Sequence, residues 1–100
     1  MAHSRIPIPT DLIADFCRRH RIRHLGLFGS VLREDFRPES DVDVLVEFEP
    51  DVEVGLFALM DIQDELAALL GRRVDLVPRQ GLKQVIRASV LASEQVVYAA

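Results

Sequence analysis

The sequence predicts a small α/β domain, a mixed β-sheet with flanking helices, from three observations. Short apolar runs bounded by turn residues occur at residues 25–28, 42–48 and 74–77, the lengths and edges expected of buried strands. Apolar residues recur at helical spacing in the stretches around them. The chain has 100 residues, of which 49% are hydrophobic, which suits one compact domain over residues 1–100 and leaves no room for a second.

Taken in order, Pro7 and Pro9 keep the first residues extended, and Thr10 is placed to cap a helix over residues 11–19. Leu12, Ile13, Phe16 and Cys17 share that helix, and Cys17, the single cysteine, reads as core. A first strand follows over residues 24–28. The connector over residues 31–40 contains Pro38, which stops any helix begun after Val31. The second strand runs from Val42 to Phe48 and is closed by Pro50. So short a connector favours antiparallel pairing of these two strands. The acidic stretch over residues 47–53 reads as a solvated loop. Leu56, Leu59, Met60, Leu66 and Leu70 then give a helical stripe, ended by Gly71 and read as core. A third strand leads to a last helix over residues 82–92 with Leu82, Val85, Ile86 and Val90 on one side. The tail Val96-Val97-Tyr98 either docks on the sheet or meets another chain.

Charge excludes some functions. The net charge is −4 with 6% aromatic residues, so the basic, stacking surface of a general nucleic-acid binder is missing. The local cluster Arg18, Arg19, Arg21 and Arg23, with His20 and His24, reads as a solvated helix end whose charges suit the C-terminal dipole. No stretch approaches the roughly 20 apolar residues of a membrane span, and the N-terminus lacks signal-peptide order. A cytoplasmic location with no membrane partner is the expectation.

The chemistry concentrates at Gly29-Ser30 and, ten residues on, at Asp41-Val42-Asp43. Glycine lets a phosphate approach the main chain, Ser30 adds a hydroxyl, and a helical turn after it would favour an anion. Asp41 and Asp43 are two residues apart at a strand, so they project together while Val42 turns inward. Two carboxylates on one face repel unless a cation lies between them, and hard oxygen ligands beside a phosphate point to Mg²⁺. Asp75 is the lone acid in an apolar stretch, costly to bury unless paired or metal-bound. It is a candidate third member, as a shared ligand or as the base for an acceptor hydroxyl. From average residue usage such a pattern arises by chance about once in a thousand chains of this size, which favours a site over coincidence.

The segment from Gly26 to Phe48, read through Gly-Ser and Asp-Val-Asp, resembles the signature of the DNA polymerase beta-like nucleotidyltransferase superfamily, and more narrowly the small prokaryotic minimal nucleotidyltransferases. The resemblance extends over nearly the whole chain. It implies Gly29 and Ser30 as the phosphate-binding pair, Asp41 and Asp43 as ligands of catalytic magnesium, Asp75 as the third carboxylate, and Arg33 as a loop arginine that touches phosphate. Many members carry glycine after that arginine. This chain has Glu34-Asp35 instead, two charges that oppose a triphosphate if they face it.

The expected activity is Mg²⁺-dependent transfer of AMP from ATP to a hydroxyl, with release of pyrophosphate. Little chain remains to build an acceptor pocket, so the acceptor is expected on another protein. The resemblance implies a tyrosine of an all-helical HEPN-type toxin, for which this chain would be the antitoxin. A non-catalytic antitoxin that neutralises its partner by covering it, and an enzyme of antibiotic-modifying type acting on a small molecule, are the competing readings. The sequence leaves base preference and homo- or hetero-oligomeric state open.

Overall fold

The first helix, α1 (Thr10–Arg19), sets the frame in the computed structural model, which describes residues 7–29, 41–82 and 84–100. Its start differs from expectation: Pro9 is the N-cap, its carbonyl accepts from the Ile13 N–H at 2.9 Å, and no side chain caps the helix. Thr10 therefore lies inside the first turn. Ile13, Phe16 and Cys17 are buried as the sequence suggested. Burial pushes the Cys17 thiol up to about 12, with a small opposing pull from Arg18. After α1 the chain reverses through Arg21, held at φ +57°.

Strand β1 (Ile22–Phe28) begins two residues earlier than strand periodicity indicates. A register shift between Ile22 and His24 explains this, because the bulge lets both Ile22 and Leu25 reach the core, which simple alternation forbids. Strand β2 (Val42–Phe48) pairs antiparallel with β1, placing Phe28 opposite Asp43 and Leu27 opposite Val44. Helix α2 (Leu56–Leu70) ends at Gly71, whose φ of +67° gives the left-handed cap that the sequence signalled. Strand β3 (Val74–Pro78) then runs parallel to β2, with Val42 opposite Val74 and Asp43 opposite Asp75. A single 3-10 turn (Arg79–Gly81) leads to α3 (Gln84–Ser93). The apolar tail is strand β4 (Gln95–Ala99), antiparallel to the free edge of β1, so the sheet order is β3-β2-β1-β4.

Alternation sorts the two faces. One carries Leu25, Leu27, Val42, Val44, Val46, Val74 and Leu76 against Ile13 and Phe16 of α1 and Ile62 and Leu66 of α2. The stripe read along α2 holds at Leu59, Leu66 and Leu70, which pack on the core with Ile62 and Leu69, and is corrected at Leu56 and Met60. Leu56 and Met60 lie on the outer side of the first turns, beside Phe57, which is 82% exposed. On the other face of the sheet, Leu45 is fully buried between the strand positions of Asp43 and Glu47.

Four members of the basic cluster, Arg19, His20, Arg21 and His24, are paired within the fold. Arg19 reaches Asp15 at 3.2 Å and Glu65 at 2.5 Å, while His20 lies 3.0 Å from Glu65 and edge-on to the Phe16 ring. Arg21 joins Glu49 and Asp51, so part of the acidic loop is pinned to the end of α1. His24 lies 2.8 Å from Glu94, whose side chain is 5% exposed. A Cβ on Gly26 would overlap that carboxylate, so glycine at this point of β1 is what lets Glu94 lie across the strand and β4 close in. No helix among the described residues is long and apolar enough to cross a membrane.

Candidate active site

Asp43 and Asp75 are each the second residue of their strands, and the parallel β2–β3 register sets them side by side. Neighbouring strands lie about 4.8 Å apart, so the two side chains rise from one face within reach of a shared ion. Both line a cleft of about 580 Å³, whose other walls are Phe28, Val77, Gly81, Leu82 and Ile86. Its volume falls in the range of small-molecule sites, and its character is an acidic floor with an apolar rim. Ile86 is 45% exposed there, a cost in isolation that an apolar ligand group would relieve.

Gly29 follows β1 with φ +76°, a conformation only glycine adopts without strain. A Cβ at this position would overlap the Asp43 carboxylate, with its Cγ at 3.2 Å. The glycine is thus needed by the carboxylate as well as by any approaching phosphate. Asp41 stands just ahead of β2, and its Oδ1 accepts from Arg73 Nε at 3.1 Å with both groups largely in solvent. The structure brings Asp43 and Asp75 to one cleft and keeps Asp41 on Arg73, outside the residues that line it. No cluster of three candidate metal ligands occurs among the described residues. Ser30, Arg33, Glu34 and Asp35, together with the connector containing Pro38, lie outside the described residues.

The donor chemistry fits a hard divalent cation. Two carboxylates in register offer anionic oxygens, and the cleft they line contains no cysteine or histidine among the described residues, unlike a zinc site. Asp41 would be a third ligand if its carboxylate exchanged Arg73 for the ion. The sequence places Leu82 and Ile86 on one side of the last helix, without indicating that they wall a cleft with the carboxylates. Their only signal was that the last helix follows β3 after a short connection.

Residues 10–97 match the nucleotidyltransferase domain family. The chain belongs to that family. This nucleotidyltransferase is 43% identical over 80 residues to the protein adenylyltransferase MntA of Thermococcus cleftensis, across 80% of this chain and 77% of that one. It is also similar to a solved structure of a proposed minimal nucleotidyltransferase, with TM-score 0.70 and 35% identity over 85% of both chains. Two crystal structures share the fold at lower identity. One is of a toxin-antitoxin with AMP-PNP, with TM-score 0.74 and 21% identity over 93% of this chain and 75% of that one. The other is of a tri-AMPylated HEPN toxin from Shewanella oneidensis in complex with its MNT antitoxin, with TM-score 0.65 and 22% identity over 91% of this chain and 70% of that one. The mixed sheet with flanking helices is the fold of these relatives, and the chain is an enzyme of the nucleotidyltransferase class.

Proposed function

We propose that this nucleotidyltransferase moves AMP from ATP to a tyrosine hydroxyl of a HEPN-type partner protein and thereby acts as its antitoxin. The observation that carries the reading is the pairing of Asp43 with Asp75 on the floor of a cleft otherwise walled by apolar side chains. The MntA relative supports protein as the acceptor. The HEPN partner is supported by the shared fold of the toxin–antitoxin complex.

Asp43 and Asp75 would hold Mg²⁺, with Asp41 joining on release from Arg73, and the ion would neutralise charge on the triphosphate and on the attacking oxygen. Gly29 keeps the backbone bare beside Asp43, so the carboxylate keeps its position while phosphate lies alongside. In this reading Ser30 and Arg33 contact that phosphate. Phe28, Val77, Leu82 and Ile86 would pack on the phenol ring of the acceptor and exclude water, which an aliphatic hydroxyl would leave undone. The acceptor oxygen forms its bond to the α-phosphorus as the bond to the β-phosphate oxygen breaks. Pyrophosphate departs, and the phenolic proton passes to Asp75.

The test combines purified protein, α-labelled ATP, magnesium and a HEPN-type partner. Label is expected on the partner, mapped to tyrosine by mass spectrometry, and lost with Asp43→Asn and Asp75→Asn. Label that persists in both folded variants refutes the assignment of the carboxylates. A partner left unlabelled by active enzyme refutes the acceptor.

A further inference from the structure

A second pocket, of about 330 Å³, is lined by Glu47, Arg79, Gln80 and Arg87, none of which lines the carboxylate cleft. Glu47 lies four residues beyond Asp43 on β2, which at strand rise is about 13 Å along the same face. Arg79 Nη1 donates to both Glu47 oxygens at 3.3 Å each, long for a charge-assisted bond. Arg87 Nη2 donates to the Leu82 carbonyl at 3.1 Å, while Arg87 Nε is buried with no partner among the described residues. A buried guanidinium N–H without an acceptor carries a desolvation cost that a bound anion would remove. The side chains of the pocket sum to one excess positive charge within a chain of net charge −4. The adjoining pocket, which shares Glu47 and Gln80, brings Arg23 and Glu49 and so leaves that balance unchanged.

We propose that the Glu47, Arg79, Gln80 and Arg87 pocket binds a phosphate group, at a site separate from the carboxylate cleft. Glu47 engages Arg79 through Nη1 alone, at 3.3 Å to each oxygen, so the two-nitrogen fork of that guanidinium is not used by it. A phosphate has enough oxygens to accept from Arg79, the Gln80 amide and Arg87 together, which is the recognition that guanidinium forks favour. Glu47 then acts as the internal competitor, holding Arg79 until the phosphate displaces it.

The full chain would be titrated separately with inorganic phosphate, pyrophosphate and AMP while the arginine Nε–H signals are followed by NMR. Saturable shifts of the Arg87 and Arg79 signals are expected, and the probe that saturates at the lowest concentration identifies the source of the phosphate. Arg87→Met should weaken binding by about tenfold or more, the worth of a charged hydrogen bond. Arg79→Met gives the same reading if the first variant fails to fold. Glu47→Gln should tighten binding several-fold, since the competing charge is gone. Asp43→Asn with Asp75→Asn should leave this binding unchanged. Absence of saturation by all three probes, unchanged affinity in both arginine variants, weaker binding in Glu47→Gln, or loss of binding in the aspartate variant would each overturn the proposal. The readout is binding alone, so it stands or falls apart from transfer activity.

Discussion

Substituting Gly29 by alanine separates two reasons for a glycine at that position. Gly29 and Gly71 both have positive φ, +76° and +67°, so alanine at either should cost about 1–2 kcal/mol in backbone strain. Their surroundings differ. A Cβ at Gly71 meets nothing within 4 Å, whereas at Gly29 it overlaps the Asp43 carboxylate. Relieving that overlap requires Asp43 to move, at a further cost of about 1–3 kcal/mol if the crowding resembles an overfilled core. Each kcal/mol lowers Tm by about 4–8 °C in a domain of this size. Gly71→Ala should therefore melt roughly 4–16 °C below wild type and Gly29→Ala lower still. Transfer should fall by about a hundredfold in Gly29→Ala, because a carboxylate misplaced by an ångström loses that much, and hold in Gly71→Ala.

The decisive measurement is a double-mutant cycle with Asp43→Ala, followed by thermal melting. With the carboxylate gone, the next nearest atom to the new Cβ among the described residues is the Asp43 Cβ at 3.5 Å, an ordinary contact. Gly29→Ala should then cost only its strain, leaving a coupling of about 1–3 kcal/mol. Equal melting losses at Gly29 and Gly71, with coupling inside about 0.5 kcal/mol, would refute the claim that Gly29 exists to seat Asp43.

Asp43→Asn and Asp75→Asn should each abolish transfer with Tm level or slightly raised, since one of two facing charges is removed; a clear loss of Tm would show that the carboxylates are structural. Glu65 should govern stability in acid. Its carboxyl is held below the usual range first by Arg19 and then by His20, so its contribution is present above the ordinary glutamate value of about 4.3 and fades as pH falls through the lower folded value. Glu65→Gln should lower Tm modestly at neutral pH, where that contribution is fully present, and flatten the Tm-versus-pH curve in that window, so that the two proteins converge in strong acid. Cys17, buried and with its thiol pushed up to about 12, should resist iodoacetamide in the native protein and react only on unfolding. Rapid native labelling would contradict its placement against Phe16 and Ile13.

Much of the fold was legible because burial and periodicity agreed locally. Val42–Phe48 and Leu56–Leu70 begin and end where turn residues mark them, and Gly71 caps α2 as its lack of a Cβ allows. The departures arise where distant residues decide. Ile22 belongs to β1 only because a bulge shifts its register, and Gly26 leaves room for the carboxylate of Glu94, 68 positions further along the chain. In the site, the two-residue period put Asp41 beside Asp43, but that guarantee weakens ahead of the strand. There Arg73 claims the Asp41 carboxylate. Asp75 entered the reading on its own as an acid in an apolar run, and nothing in that run could say which residue it would face.

What it faces follows from strand direction. Joined by the short connector, β1 and β2 are antiparallel and bring the end of one strand to the start of the other, which sets Gly29 beside Asp43. Two strand starts can meet only in a parallel pair, and a parallel pair needs a crossover, here the fifteen residues of α2. The helix is thus as necessary to the carboxylate pair as the aspartates are. Burial fixes the register, since Val74 and Leu76 sit in the core on either side of Asp75. A slip of β3 by one residue would turn both into the cleft and bury Asp75 among Val44, Ile62 and Leu66. Two apolar side chains lost to water and a carboxylate taken out of it are opposed together, so the residues that stabilise the sheet are the ones that aim Asp75 at Asp43.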